Sequence, residues 1–474
     1  MKKYLSILLL TVTLMFTSCS DQLDRLPVDQ LVEETAYNTV EDLRFALNGA
    51  IGAYNYNYIL GFNSIFTDNT RLGVDNGGQD VLYHQQVLNA DYGAINGNAR
   101  IWDSRYSIIN DLNRLIVASA AIVPSTDEQE DYDSVLAQAY AFRALAHYEV
   151  LLYYGLDMTD ESALGVPYVD YVSADATPGR NTTGEVLTGI NADLDLALSL
   201  FPDGFNDINF ATPDFVTFLR ARIALETGDN QGAIALCNSL IANYPLATVA
   251  QYFGMFNEDA DKTEVVWNYD NVQGADFGIN FTWNFSGQGP KFEVSQELVN
   301  LLSDDDIRKL VILDPASELD NDLYIIGKYP INADTQAIND FKAMRISEIY
   351  LIRAEAYAKT TQFGLAAADV EAVRLARSLS ASVDPVEYDN LVEAIVDIIA
   401  ERRLELAFEG HRYIDIKRVR DITGEGILRD ADLGDCFGAY PCELPAASPK
   451  FILPIPTGEL NGNPVIREQQ APGY

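Results

Sequence analysis

Between residues 391 and 420 the apolar positions follow the 3.6-residue period of an α-helix. The positions that recur at this spacing are Leu391, Ile395, Ile398, Ile399 and Leu406. Residues 388–390 supply an N-cap, and Gly410 is placed where a helix can end in the left-handed conformation. The pattern therefore predicts a helix of about five turns that begins near Leu391.

The charged residues of this segment depart from the usual amphipathic pattern. Glu401, Glu405 and Glu409 are spaced four residues apart, so three like charges share one stripe and would weaken an isolated helix. Arg402 falls on the apolar stripe. The nearest candidate partners in the sequence are Arg412, Asp415 and Arg418. We expect a structural cluster of ion pairs here, with a ligand site as the alternative, and a hydrogen-bonded structural role for His411 in place of catalysis.

Three short units elsewhere in the chain resemble one another, at 142–145, 219–222 and 352–355, and each lies in an alanine-rich helical pattern. The second and third units run into a turn and a further helix. Small alanine faces at helical spacing let two helices pack closely, as they do in tetratricopeptide repeats. Because the units are scattered, we predict a mainly α fold: a tetratricopeptide-like helical scaffold with long irregular loop insertions and a few short strands. An ordinary helical bundle is the alternative.

The insertions are the predicted place of function, because binding residues concentrate on loops that a rigid scaffold holds. They span residues 55–100, 157–183 and 265–291, and the first and third combine aromatic residues with Asn, Asp, Gln and Gly. Such a mixture suits sugars, since rings stack on pyranose faces while amides and carboxylates bind hydroxyls. Phe281, Trp283 and Phe285 alternate and would share one face of a strand. Each aromatic could instead belong to the core, as we expect for Trp267.

Composition narrows the class of partner. Seventy acidic against 32 basic residues give a formal charge of −38, and 48% of the residues are hydrophobic. This balance strongly disfavours a nucleic-acid partner, because phosphate binding requires Lys and Arg. The hydrophobic content indicates a globular chain. The charge is compatible with a secreted surface that binds neutral ligands.

The N-terminus predicts export and lipidation. Lys2 and Lys3 precede an apolar run over residues 4–16, and Thr17-Ser18-Cys19 follows. This is a signal peptide over 1–18, whose end resembles a bacterial lipobox with Cys19 as the lipidated residue and Phe16 where Leu is more usual. Residues 19–34 would form a lipidated tether, and several acyl chains on one Cys give a stable anchor. Ordinary signal-peptidase cleavage is the alternative.

The other cysteines have two predicted roles. Cys436 and Cys442 lie close together in a segment rich in Gly and Pro, so a local disulfide is expected in an oxidising compartment. Their spacing is too wide for a CxxC metal site. Cys237 lies in an alanine-rich helical pattern and is expected to be a buried free thiol.

Signatures of catalysis are missing from the sequence. It contains no G-x-S-x-G, no H-E-x-x-H, no P-loop and no G-x-G-x-x-G after a strand, and it has 3 histidines far apart. Asp304-Asp305-Asp306 lacks the spacing of a calcium-binding loop and is better explained as a helix boundary. We therefore expect no enzyme activity, no cofactor and no metal site.

Two motifs carry a resemblance to a known family. The residues from Glu401 through His411 and Arg412, followed by Asp415 and Arg418, closely resemble the signature of the SusD/RagB family. The C-terminal segments 453–456 and 472–474, together with Glu459 and residues 463–464, resemble that family's ending. Its members are lipid-anchored, surface-exposed nutrient-binding proteins of Bacteroidetes that work with a SusC-like TonB-dependent outer-membrane transporter.

The resemblance makes residues 35–474 a single SusD-like α-helical binding domain and implies carbohydrate uptake at the outer membrane. The motif at 401–418 belongs to the family's scaffold, whereas ligands are held by loops of the first half and middle of the chain. The residues here that stand in those loops are Asp68, Asn69, Arg71, Tyr83, Phe281, Trp283 and Phe285. Alternatives are capture of a peptide or a glycoprotein glycan, or a structural lid of the transporter without a ligand site of its own.

Overall fold

The structure is a computed structural model that describes residues 36–88, 90, 98–271, 278–285, 289–331, 338–436 and 440–474. The α-helices in these residues are α1 (Val40–Gly52), α2 (Asn57–Ile65), α3 (Val81–His84), α4 (Asn98–Ser119), α5 (Gln129–Tyr154), α6 (Thr183–Leu200), α7 (Pro213–Thr227), α8 (Asn230–Ile241), α9 (Val249–Asn257), α10 (Gln296–Leu301), α11 (Ile307–Ile312), α12 (Ile346–Lys359), α13 (Phe363–Arg377), α14 (Leu391–Glu405), α15 (Arg412–Thr423), α16 (Thr457–Gly462) and α17 (Pro464–Arg467). The strands are β1 (Thr70–Leu72), β2 (Val265–Tyr269), β3 (Phe292–Val294), β4 (Phe341–Arg345), β5 (Ile427–Leu428) and β6 (Glu443–Leu444).

The three alanine-rich units lie in α5, α7 and α12, and each of these helices packs against the helix that follows it. The alanines that close these hairpins are fully buried, among them Ala144, Ala221 and Ala354. Helix α8 also packs against α12, which joins the second hairpin to the third. The predicted tetratricopeptide-like scaffold is confirmed.

Local chemistry explains the α7–α8 hairpin. The Thr212 side chain caps α7, and Pro213 occupies its first turn, where no backbone donor is needed. Gly228 ends the helix in the left-handed region at φ 82°. Asp229 then accepts a hydrogen bond from the Gly232 amide and caps α8. Stop and start signals in adjacent residues produce a tight turn.

Short antiparallel strand pairs connect the insertions to the scaffold and to each other. β1 pairs with β3, which joins the first insertion to the end of the third. β2 pairs with β4 and buries Trp267, as predicted. β5 pairs with β6 next to the disulfide that joins Cys436 to Cys442, and Cys237 is a buried free thiol. Both cysteine predictions agree with the structure.

Residues 281–285 do not form the strand in which their aromatic side chains would share one face. Residues Ile279–Thr282 form a 3₁₀ turn, and the carbonyl oxygen of Trp283 accepts hydrogen bonds from the amides of both Lys291 and Phe292. The chain therefore folds back on itself here, and Phe281, Trp283 and Phe285 do not share the face of a strand.

Helix α14 begins as predicted, with the Asn390 side chain as its N-cap, but it ends at Glu405, before the predicted stop. Phe408 and Gly410 both have positive φ, 62° and 90°. The turn residues 406–410 follow the helix and place Glu409 next to Arg345. The Arg345 guanidinium binds the Glu409 carboxylate through two hydrogen bonds of 2.7 Å. A tertiary ion pair thus ends the helix early.

The charged stripe of α14 forms a buried ion-pair network. Glu405 binds Arg345 at 2.7 Å and Arg377 at 2.9 Å, and Glu401 binds Arg308 at 2.6 Å. These arginines hold the pKa of Glu405 well below its ordinary value even though burial acts in the opposite direction. The predicted structural role of the stripe agrees with this geometry, but its partners come from other elements.

Of the partners suggested by sequence proximity, Asp415 does bind a residue of α14, whereas Arg412 and Arg418 bind acids outside the helix. Arg412 pairs with Asp68, and Asp415 pairs with Arg402 and Arg418. His411 lies with its Nε2 3.8 Å from Glu348, and burial lowers its pKa to about 4. Asp306 is the N-cap of α11, so the aspartate triplet marks a helix boundary as predicted.

Candidate functional site

Asp68 and Asn69 belong to the scaffold. Asp68 is buried, and its carboxylate lies 2.6 Å from Arg412 and 3.4 Å from Arg403. These guanidiniums outweigh the effect of burial and hold the pKa of Asp68 well below its ordinary value. Asn69 accepts a hydrogen bond of 3.1 Å from Arg403 Nε. The family signature and the first insertion are thus joined by internal ion pairs, and neither side chain presents itself to a ligand here.

Arg71 and Tyr83 are likewise enclosed. Arg71 pairs with Glu293 and Asp322 at 2.8 Å each, and its guanidinium lies 4.5 Å from the centre of the Tyr324 ring. Tyr83 is 1% exposed and packs edge-on against Phe62. Neither can contact a glycan in this conformation.

Trp283 is the main correction to the predicted platform. Its indole is 0% exposed, with Nε1 donating a 2.7 Å hydrogen bond to Ser64 Oγ and the ring packed edge-on against Phe408. Phe281 and Phe285 remain half-buried. Lys291 lies 5.3 Å from the centre of the Phe285 ring and donates to the Phe281 carbonyl. These two rings are the predicted residues that keep some access to solvent.

The first and third insertions meet at an open pocket, which is lined by residues other than those predicted to bind a ligand. The connection between α1 and α2 and the end of β2 enclose a cavity of about 230 Å³. Its described lining consists of Gly52, Ala53, Tyr54, Asn55, Tyr56, Asn57, Tyr269, Asn271, Ile279 and Phe341. We refer to it as the amide–aromatic pocket.

The α1–α2 connection is held firmly beneath this pocket. Asn55 Oδ1 accepts a hydrogen bond of 2.9 Å from the Asn57 amide, which closes a tight turn. Tyr54 is fully buried and donates to Glu149 at 2.5 Å, while the Arg105 guanidinium lies 4.0 Å from the centre of its ring. The half-buried Asn55 and Asn57 therefore stand on a rigid base.

Tyr269 forms the aromatic wall of the pocket. It ends β2 opposite Phe341, and its ring lies edge-on to Tyr56 with the centroids 5.3 Å apart. Its hydroxyl donates toward the carbonyl oxygens of Ile51 and Gly52 at 3.2 Å each. Burial raises the pKa of Tyr269 to about 12, so the hydroxyl stays protonated and remains a donor to these carbonyls.

The pocket also offers hydrogen-bonding groups. Asn271 donates from its backbone amide to Asp340 at 3.1 Å and from Nδ2 to the Asn339 carbonyl at 2.6 Å. Among the described residues, Asn271 Oδ1 and Asn55 Nδ2 have no hydrogen-bond partner. An acceptor and a donor beside an aromatic wall are groups that bind hydroxyl-rich ligands.

Three other cavities have a different chemistry. A cavity in the interior is lined by aromatic rings together with ion-paired side chains such as Arg222 and Glu348, and its volume of about 70 Å³ is less than a third of that of the amide–aromatic pocket. A groove of about 970 Å³ between α6 and α7 has acids and aliphatic side chains but no aromatic ring in its lining. A third, of about 230 Å³, lies between α14 and α15 above Arg403 and Arg412. The amide–aromatic pocket is the one among these four that suits a sugar.

The candidate pocket lies between two of the insertions that the sequence indicated, but its lining differs from the predicted side chains. Asn55 and Asn57 belong to the Tyr-Asn repeat that opens the first insertion, and Tyr269 and Asn271 follow the buried Trp267. The close spacing of Tyr and Asn in both segments was the available signal.

Comparisons with known proteins agree with the resemblance seen in the sequence. A sequence profile described as "SusD family" matches residues 324–474, and one described as "Starch-binding associating with outer membrane" matches residues 23–214. The chain belongs to the SusD/RagB family. SusD-like protein P2 of Formosa agariphila is 26% identical, and the match covers 100% of this chain and 100% of that protein.

Solved structures share the SusD fold. A SusD superfamily protein of Bacteroides thetaiotaomicron superposes with a TM-score of 0.77 at 20% identity, covering 92% of this chain and 100% of that one. A SusD-like carbohydrate binding protein of Bacteroides vulgatus gives 0.75 at 20% identity, covering 91% and 98%. At this identity the likeness establishes the fold. Within the described residues of this SusD-family chain, no helix is both long and apolar enough to cross a membrane.

Proposed function

We propose that this SusD-family protein is a cell-surface lipoprotein that captures an oligosaccharide or polysaccharide and delivers it to a SusC-like TonB-dependent outer-membrane transporter. The observation that carries the proposal is the amide–aromatic pocket, where Tyr269 stands beside Asn55 and Asn271. A sugar presents C–H faces to an aromatic ring and hydroxyls to amides, so this combination matches its chemistry.

The rigidity of the pocket supports binding without large rearrangement. Tyr269 is fixed by two carbonyl acceptors and by Tyr56, and Asn55 is fixed by the turn above the buried Tyr54. Groups that are already in place lose little conformational entropy when a ligand binds. A cavity of about 230 Å³ accommodates a short part of a glycan, with the rest of the chain outside.

The anchor belongs to the same proposal. Cys19, the signal peptide over 1–18 and the tether over 19–34 lie outside the described residues. A lipidated Cys19 would hold the protein at the outer membrane, where the captured glycan is close to the transporter. The protein acts by binding and needs neither a cofactor nor turnover.

Affinity electrophoresis tests the capture step. Protein from residue 20 onward, which keeps every described residue, is run through native gels that contain a panel of polysaccharides. We expect retardation by at least one glycan, and loss of that retardation in Tyr269→Ala and in the Asn55→Ala/Asn271→Ala double variant. Phe45→Ala, which removes an exposed ring from α1, is the matched control and should behave like the parent protein.

The outcomes separate the alternatives. Retardation that survives both pocket variants would move the site to Phe281 and Phe285. An absence of retardation by every glycan would contradict glycan capture and favour a peptide or glycoprotein-glycan cargo, or a lid without a ligand site. Release of shorter sugars by the purified protein would contradict the non-enzymatic part of the proposal.

A further inference from the structure

The amide–aromatic pocket has no charged residue in its described lining. Such a lining stands out in a chain with a formal charge of −38. The interior cavity, the α6–α7 groove and the cavity between α14 and α15 all include acids and arginines in their linings. An uncharged lining offers hydrogen bonds and stacking but no counter-ion for a carboxylate or a sulfate.

The nearest cation beneath the pocket is not available to a ligand. Arg105 is 0% exposed, and its Nε donates to the Glu149 carboxylate at 2.5 Å. Its Nη1 donates to the backbone carbonyl of Asn55 at 3.3 Å. The guanidinium therefore supports the pocket from below and is neutralised by an internal acid.

The lysines behind the Tyr269–Asn271 wall are also neutralised. Lys262 binds Asp259 at 3.0 Å and Asp340 at 2.9 Å, and Lys342 binds Asp259 as well. The three carboxylates of Asp259, Asp340 and the exposed Asp270 outnumber these two ammonium groups. The wall consequently carries an excess of negative charge directly beside the pocket.

We propose that the amide–aromatic pocket selects uncharged glycans and rejects chains that carry carboxylate or sulfate groups, a selectivity that rests on the glycan-capture function above. An anionic sugar in the pocket would lose hydration without gaining a counter-ion, and it would approach Asp270. The overall negative charge of the protein would also slow the approach of an anionic glycan. A neutral sugar meets none of these costs.

Chemically matched pairs of polysaccharides test the selectivity. The pairs are amylose with carboxymethyl amylose, and methyl-esterified galacturonan with the same polymer after de-esterification. Each is tested by affinity electrophoresis with protein from residue 20 onward, together with the carboxymethyl derivative of any other neutral polymer that binds. We expect at least one neutral polymer to bind. Its charged derivative should bind at least about tenfold more weakly.

Variants of Asp270 locate the source of the rejection. Asp270→Asn and Asp270→Lys should both raise the affinity for the charged derivative several-fold, with the larger increase in Asp270→Lys. Both variants should bind the neutral polymer as the parent does. Asp384→Lys makes the same charge change at an exposed position between α13 and α14 and should leave the ratio unaltered.

Two results would contradict the proposal in different ways. Binding of charged polymers with equal or higher affinity than their neutral parents would overturn the selectivity while leaving glycan capture in place. Failure of both members of every pair, together with the wider panel, would contradict the capture function itself.

Discussion

The indole Nε1 of Trp283 donates a 2.7 Å hydrogen bond to the hydroxyl of Ser64, which lies 219 residues earlier in the chain. Both residues are buried. The bond joins the third insertion to α2 next to the 3₁₀ turn at Ile279–Thr282. The largest aromatic side chain of the predicted platform therefore stabilises the base of the loops.

Replacement of Trp283 by alanine is expected to destabilise the protein. Removal of a fully buried indole leaves a cavity and leaves the Ser64 hydroxyl without its partner, which lowers the free energy of unfolding by about 3–5 kcal/mol. Urea unfolding monitored by circular dichroism measures the change. The fraction that remains folded should bind glycan as the parent does, and loss of binding without loss of stability would restore Trp283 as a ligand residue.

The helical scaffold was predictable because its signals are local. The spacing of alanines in α5, α7 and α12 and the Gly228-Asp229 turn each lie within a few residues of the structure they specify. The family signature was also legible in the sequence, since its residues follow one another along α14 and α15.

The candidate site was less predictable because the residues that form it are distant in sequence. Nothing near Trp283 shows that Ser64 and Phe408 will enclose it, and nothing near Asn55 shows that Tyr269 will stand beside it. The predicted length of α14 was wrong for the same reason. Glu409 lies outside the helix and binds Arg345, which is distant in sequence.

The buried network around Glu405 gives a second prediction. Glu405→Ala removes a buried carboxylate that Arg345 and Arg377 share, which leaves Glu264 as the acid for Arg377 and Glu264 and Glu409 as the acids for Arg345. The loss of one partner from a buried ion pair costs about 3–5 kcal/mol, measured as the free energy of unfolding in urea. Asp304→Ala, which removes an exposed partner of Lys309, is the matched control and should unfold like the parent. Equal stability of the two variants would show that the network contributes little.

The pH dependence of stability should reveal Glu348. Burial alone would raise the pKa of Glu348, but Arg222 and further nearby positive charge hold it at about 2, below its ordinary value of 4.5. A carboxyl group with a depressed pKa in the folded state stabilises the protein above its ordinary pKa and loses that contribution as pH falls. The contribution of Glu348 should therefore be complete above about pH 4.5 and decline towards pH 2.

Urea unfolding at a series of pH values tests this with Glu348→Gln. The parent should exceed the variant in stability at pH 7, and the difference should shrink as the pH falls below 4.5. A difference that stays constant over this range would mean that the ionised carboxylate is not the source of the stabilisation.

The two roles of Tyr269 can be separated by a pair of substitutions. Tyr269→Phe keeps the ring beside Tyr56 but removes the donor that bonds to the carbonyls of Ile51 and Gly52. Because these hydrogen bonds lie at a half-buried edge, we expect a loss of about 1 kcal/mol in the free energy of unfolding. Glycan affinity should stay within a factor of about two, since the hydroxyl bonds to the protein and the ring wall is retained.

Tyr269→Ala should instead abolish detectable retardation in glycan gels while the protein stays folded by circular dichroism. The ring supplies the stacking face, and the amides of Asn55 and Asn271 then have no wall against which to orient a sugar. If Tyr269→Phe lost binding as completely as Tyr269→Ala, the hydroxyl would be the ligand-binding group and the carbonyl bonds would have to break on binding. Retention of binding by both variants would exclude the amide–aromatic pocket as the site.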